Sequence, residues 1–174
     1  IQLDNTQNGG VGIDVREFHP EVVGLTSSMN QLSGVRIMDS SNVWIEDALT
    51  SGNGAIATIN SEGAGFSFIR SNDFISSGKN VSCVNCTSNG DAVGFSIVDS
   101  IDLQLIGIRS VSPLSGLAIS GDGANLQRNG PILIHGADLQ TDSISPAVVM
   151  QSIDAHLLDV SISGISGGLE WSPS

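Results

Sequence analysis

Tyrosine is missing from these 174 residues, and aromatic side chains make up only 4% of them. Lysine occurs once, at Lys79, and with five arginines it gives six cations against 18 carboxylates, a formal net charge of −12. A nucleic-acid-binding face needs clustered cations, and an anionic lipid surface repels such a chain, so both are excluded as partners. No apolar run approaches the roughly 20 residues that cross a bilayer, so no membrane span is expected. Ile1-Gln2-Leu3-Asp4 has neither the basic start nor the hydrophobic stretch of a signal peptide, and no initiating Met precedes it. A tetrahedral zinc site takes four ligands, and the two cysteines have no second pair, so no metal and no cofactor are expected. Helix-favouring Lys, Glu and Arg are scarce, and no stretch of ten or more residues carries helix caps.

What is present is a repeat. An apolar residue, an outward residue, an apolar residue and a second outward residue are followed by Gly, Asn or Asp, then by another apolar residue. The phrase reads Pro20-Glu21-Val22-Val23-Gly24-Leu25, Val43-Trp44-Ile45-Glu46-Asp47-Ala48 and Val81-Ser82-Cys83-Val84-Asn85-Cys86. It returns as Leu103-Gln104-Leu105-Ile106-Gly107-Ile108, Ile132-Leu133-Ile134-His135-Gly136-Ala137 and Ala155-His156-Leu157-Leu158-Asp159-Val160. Copies are separated by 23, 38, 22, 29 and 23 residues. Period-two alternation recurring at this interval describes coils of a solenoid.

A second phrase precedes the first: a strand, then Ser-x-Asn/Asp. It reads Val35-Arg36-Ile37-Met38-Asp39-Ser40-Ser41-Asn42, Phe66-Ser67-Phe68-Ile69-Arg70-Ser71-Asn72-Asp73 and Phe95-Ser96-Ile97-Val98-Asp99-Ser100-Ile101-Asp102, with a looser copy from Val148 to Asp154. Its Ser, Asn and Asp residues sit at one bend of each coil, where side chains can satisfy bend amides and stack on the next rung. Asp73, Asp102 and Asp154 therefore read as such a ladder and not as catalytic groups. Between the phrases lie segments with turn composition: Thr50 to Gly54, Ser88 to Asp91 and Ser110 to Gly116. The 38-residue step contains either an insertion or an extra rung beginning at Phe74-Ile75-Ser76, and Asp122 to Gly130 reads as a protruding loop.

Coils of this length, with inward aliphatic columns and Asn or Ser at the bends, resemble the right-handed parallel β-helix of the pectin-lyase-like superfamily and of phage tailspikes. The resemblance covers about residues 10 to 168. It implies an all-β, right-handed parallel β-helix of about six coils, forming a single domain over residues 1–174. Neither end shows an obvious cap, so the chain reads as a piece of a longer one. Cys83 and Cys86 fall in inward columns, the first with Ile45, Leu105, Ile134 and Leu157, the second with Ala48, Ile108, Ala137 and Val160. They are expected as buried free thiols that pack as small hydrophobes. Asn80 and Asn85 stand in glycosylation acceptor triplets, which matter only in a eukaryotic secreted chain.

For chemistry, the outward acidic residues come first. Glycosidases pair two carboxylates, and Glu21 and Glu46 lie outward on consecutive rungs, with Asp47 next in the chain. Trp44 beside Glu46 would be a stacking platform for a sugar ring. The motifs of polygalacturonase-like members (Asn-Thr-Asp, Asp-Asp, Gly-His-Gly) are absent, the arginines flank no evident Asp cluster, and His135 and His156 build no Ser/His/Asp triad. The second outward column is Val23, Glu46, Val84, Ile106, His135 and Leu158, and Leu133 extends its apolar part. An apolar row of this kind marks a contact surface. A covering element or a homo-oligomeric partner, as in a trimer, would occupy it. The expected function is an extracellular, cell-surface or virion module that recognises polysaccharide or cell-surface glycan, like a tailspike or adhesin shaft. The alternatives are a polysaccharide lyase, glycoside hydrolase or epimerase of the same superfamily, and a purely structural spacer.

Overall fold

The computed structural model describes residues 4–6, 9–16, 20–54, 63–69, 81–120, 131–151, 154–165 and 168–171. Among them every regular element is a β-strand, and all the strands pair in parallel into three stacked walls. The six copies of the first phrase are the six strands of one wall, the repeat wall. They are Glu21–Val23 (β3), Trp44–Glu46 (β6), Val81–Val84 (β9), Leu103–Ile106 (β12), Ile132–His135 (β15) and Ala155–Leu158 (β18). The second phrase supplies the front wall. Its strands are Ile13–Arg16 (β2), Val35–Met38 (β5), Phe66–Ile69 (β8), Val93–Val98 (β11), Ser115–Ser120 (β14), Val148–Met150 (β17) and Leu169–Trp171 (β20). The third wall, the hydroxyl wall, comprises Asp4–Thr6 (β1), Thr26–Ser28 (β4), Leu49–Ser51 (β7), Thr87–Asn89 (β10), Arg109–Ser112 (β13), Asp138–Thr141 (β16) and Ser161–Gly164 (β19). Each coil runs front wall, repeat wall, hydroxyl wall, which makes a parallel β-helix of six or seven coils.

The register follows the phrase. Val22 faces Ile45, Ile45 faces Cys83, Cys83 faces Leu105, Leu105 faces Ile134 and Ile134 faces Leu157. Because β6 pairs directly with β9, no rung intervenes in the 38-residue step, which is one long coil. Residues 74–80 lie outside the described residues, as does the loop expected at 122–130. The Gly/Asn/Asp of each copy is the corner from repeat wall to hydroxyl wall. Gly24, Asp47, Asn85, Gly107, Gly136 and Asp159 all have φ between 52° and 70°. That left-handed region admits Gly freely and Asn or Asp more readily than other side chains, which is why the position accepts only these three types.

At the opposite bend, Ser40 and Ser100 reach the neighbouring rung as expected, but they bond carbonyls and not the amides. Each hydroxyl donates to a carbonyl of its own strand (Met38, 2.8 Å; Val98, 3.1 Å) and to one on the preceding rung (Val15, 3.4 Å; Phe68, 3.2 Å). Asp102 takes φ 51° at this bend. Asp154 lies exposed beside His156, 3.3 Å from its ring, and Asp73 is outside the described residues.

Two expectations are corrected. The segments read as turns at Thr50, Ser88 and Ser110 contain strands of the third wall. Their inward residues are hydroxyls in register, Ser27, Thr50, Ser88 and Ser110, all buried, so no apolar alternation announced them. The cysteines are inward, as their columns require, but they form a Cys83–Cys86 disulfide with both residues 0% exposed. The corner at Asn85 turns the chain so that the inward positions on either side of it face each other, with Cα atoms 5.9 Å apart.

The interior is thus apolar on two walls, and on the third it is polar from Ser27 to Ser110 before Leu139 and Ile162 continue the column as core residues. Phe66, Phe95, Leu117 and Val148 stack in one front-wall column, with Phe66 and Phe95 face to face at 5.0 Å. Immediately before that column stand Gly12, Gly34, Gly65, Gly94, Gly116, Ala147 and Gly168. A Cβ built on Gly65 would come within 2.5 Å of Thr50 and Asp91 oxygens, and one on Gly94 within 2.5 Å of the Gly116 carbonyl. At Gly65 and Gly94 the front wall enters so close to the hydroxyl wall that there is room for no more than a hydrogen, whereas the same position one rung beyond Gly116 admits the Cβ of Ala147.

Candidate functional surfaces

The outer face of the repeat wall carries the residues singled out in the sequence. Trp44 is 42% exposed, in register with Glu21 on one side and Ser82 on the other. Its indole N–H donates to Glu46 Oε2 at 3.2 Å, so the ring is held by the carboxylate two residues along the same strand. Glu46 itself faces Val23 and Val84. Glu21 and Glu46 are therefore diagonal neighbours, not direct partners across the rungs. Asp47 is exposed at the corner with φ 52°, and its Oδ1 accepts a bond from Asn85 Nδ2 at 3.3 Å. The same wall shows the apolar row: Val23 is 40% and Leu158 53% exposed, with Val84, Ile106 and Leu133 half-buried between them. His135 faces Asp159 at 3.2 Å, one rung from the pair of His156 with Asp154.

The hydroxyl wall has a groove of about 310 Å³ on its outer face, which the sequence reading did not find. It runs along the solenoid axis over Leu49, Thr87, Arg109 and Asp138, consecutive in one column, with Asn89 and Val111 in the next. Leu49 and Val111 are exposed. Asp138 accepts from Gln140 Nε2 at 3.2 Å. Arg16 and Arg36 both engage Asp14, whereas Arg109 makes no ion pair among the described residues. The signal for this face was the column Leu49, Thr87, Arg109, Asp138, which emerges only once the hydroxyl-wall register is known.

On the front wall, Arg36 is buried and clamps Asp14 with two bonds of 3.1 and 2.7 Å, and Arg16 adds a third at 2.9 Å. The Arg36 hydrogen bonds and charge hold the Asp14 carboxyl below its usual range, outweighing partial burial.

Inside, where the hydroxyl wall bends toward the front wall, lies a ladder. The backbone N–H and side-chain amide of Asn30 both donate to Asn53 Oδ1, at 2.9 and 2.7 Å. Those of Asn53 donate in the same way to Asp91 Oδ1, at 2.7 and 2.8 Å. Asp91 Oδ2 accepts from Thr50 and Ser88 hydroxyls, each at 2.6 Å. Asp91 is 0% exposed, and burial pushes its carboxyl up against the opposing pull of these bonds.

Among the described residues no helix is long and apolar enough to cross a membrane. No protein-family model, curated protein or solved structure matches the chain.

Proposed function

We propose that this β-helix is an extracellular, cell-surface or virion module that recognises polysaccharide, in the manner of a tailspike or adhesin shaft of pectin-lyase-like type. The observation that carries the reading is Trp44. An indole exposed on a flat parallel wall, its N–H fixed by Glu46 and flanked by Glu21 and Ser82, has an open face on which the C–H face of a pyranose can stack. The carboxylates and hydroxyl around it accept and donate bonds to the ring substituents. A buried disulfide persists in oxidising compartments, which fits a location outside the cytosol. The apolar row from Val23 to Leu158 supports a side-by-side homo-oligomer, such as a trimer. Sedimentation of the isolated chain as a monomer would remove that part.

The binding part is tested by screening a glycan panel with wild type and Trp44→Ala. Loss of binding in the variant, with unchanged thermal stability, is the expected result; equal binding by both refutes the assignment.

The enzymatic reading draws on one geometric fact. Glu21 and Glu46 are one rung and two residues apart, so their backbones are separated by about 8 Å (rungs of about 4.8 Å, two residues of about 6.6 Å). Inverting hydrolases hold their carboxyls about 6.5–9.5 Å apart. Reducing-sugar release abolished by Glu46→Gln would favour catalysis over binding alone.

A further inference from the structure

The buried ladder ends in an acid. Asn53 accepts from Asn30 on the rung before and donates to Asp91 on the rung after, so the amides pass the bond along. A carboxylate only accepts. The next position beyond Asp91 in this stack is Pro113, placed there by the bonds Gly52 N–H to Asn89 O and Gly90 N–H to Val111 O. Proline's side chain neither donates nor accepts, so the ladder stops at the third coil.

Among the described residues, those packed on Asp91 present only neutral groups to it. These are Thr50 from β7, Ser88 from β10, Asn53 from the bend that follows β7, and Gly65 at the entry to β8. No charged side chain is among the groups that act on it. Ionised, Asp91 is a full charge with four donors and no counterion, at 0% exposure. Protonated, it donates its proton to the Thr50 or Ser88 oxygen, whose own hydroxyl rotates away, and both Asn53 bonds to Oδ1 survive.

We propose that Asp91 is a proton-operated clamp on the solenoid, holding the coils of Asn30, Asn53 and Asp91 more tightly when protonated and loosening them when it ionises. The carboxyl is held above its unfolded value of 3.8 by burial, so the folded chain binds this proton more tightly than the unfolded one. Its contribution to stability is complete below 3.8 and is lost as pH rises through the folded value. The module is thereby strengthened in mildly acidic surroundings, opposite to the usual behaviour of a paired surface carboxylate.

Asp91→Asn is the test, because the amide keeps the shape, accepts both Asn53 bonds and lets the two hydroxyls rotate to accept. Denaturant unfolding of the full chain is compared for wild type and variant across the acidic to neutral range. The unfolding constant of wild type relative to the variant should rise by about tenfold for each pH step of one above 3.8, then level off. A ratio that does not change with pH, or that falls, overturns the proposal. Should Asp91→Asn not fold, the carboxyl carbon resonance of Asp91 in wild type decides. Titration well above 3.8 supports the clamp, and titration at or below it refutes it.

Discussion

Among the described residues, the glycine with least room for a side chain is Gly94, at the entry to β11. A Cβ there would fall 1.9 Å from Ser110 Oγ, 2.7 Å from Ser110 Cβ and 2.5 Å from the Gly116 carbonyl oxygen. Rotating Ser110 relieves only the first of these. The second is fixed by the backbone of the hydroxyl wall, and the third is backbone one rung away. Gly94→Ala must therefore separate two walls or two rungs in a parallel stack whose spacing is set by hydrogen bonds. Overpacking in a core costs about 1–3 kcal/mol, and a clash with immovable backbone belongs at the top of that range or beyond it. For a chain of this size about 3 kcal/mol lowers the melting midpoint by roughly 6–12 °C. Two glycines serve as controls. Gly10 has nothing within 4 Å of its Cβ position, so Gly10→Ala should leave the midpoint unchanged. Gly90 also has open space but φ 70°, so Gly90→Ala should cost only the left-handed penalty of about 1–2 kcal/mol. Calorimetry or circular-dichroism melts of the three variants give the order Gly94, Gly90, Gly10 from most to least damaging. Gly94→Ala melting within about 2 °C of wild type would refute the wall-to-wall contact, since that corresponds to less than about 1 kcal/mol.

Replacing Cys83 and Cys86 together by alanine should lower stability by about 2 kcal/mol, the loop-closure value for so short a loop. Both sulfurs are fully buried, so reductant should open the bond only as fast as the coil itself opens, seen by timed thiol labelling of native protein. On the front wall, Asp14 is held below 3.8, so its contribution is present above that value and lost as pH falls through the lower folded one. The stability gap between wild type and Arg36→Gln, measured by chemical unfolding, should therefore shrink on acidification; a gap that widens in acid contradicts the ion pair.

How much of this was legible in the chain depends on which wall is considered. The repeat wall was readable to the residue, because alternation of aliphatic and outward side chains is the pattern that period-two burial leaves. The corner was readable for a different reason: Gly24, Asp47, Asn85, Gly107, Gly136 and Asp159 share a backbone requirement that restricts residue type. The hydroxyl wall was not readable by either signal. Ser27, Thr50, Ser88 and Ser110 face inward but carry no hydrophobicity, and with Gly52 and Gly90 beside them they look like turns. A sharper clue went unused, since glycine stands immediately before the stacked front-wall column in six copies out of seven and alanine in the other. That column marks where a second wall must press close. The disulfide was hidden because Cys83 and Cys86 fall in two separate inward columns of the phrase, and a Cys-x-x-Cys without a second pair offers only half a metal motif. Only the corner at Asn85 makes it a contact.

The same distinction bears on where function can be sought. An inward residue of a stacked solenoid answers to its neighbours one rung above and below, so its identity reports packing. An outward residue has no such obligation, and the repeat leaves it free to vary. Trp44 occupies a position that elsewhere in the column holds Glu21, Ser82, Gln104, Leu133 and His156, none of them Trp, Phe or Tyr. Folding does not ask for an indole there, and exposing one sacrifices apolar area that could have been buried. Arg109 stands in the same relation to the hydroxyl wall, where its column runs Thr26, Leu49, Thr87, Asp138 and Ser161 and no carboxylate among the described residues claims its charge. The two faces can be told apart directly. If glycan contact is confined to the repeat wall, Trp44→Ala abolishes it and Arg109→Gln does not. If a chain also tracks the groove past Leu49 and Val111, both variants weaken it. Binding that survives both substitutions belongs to neither face, and the outward columns would then be surface and nothing more.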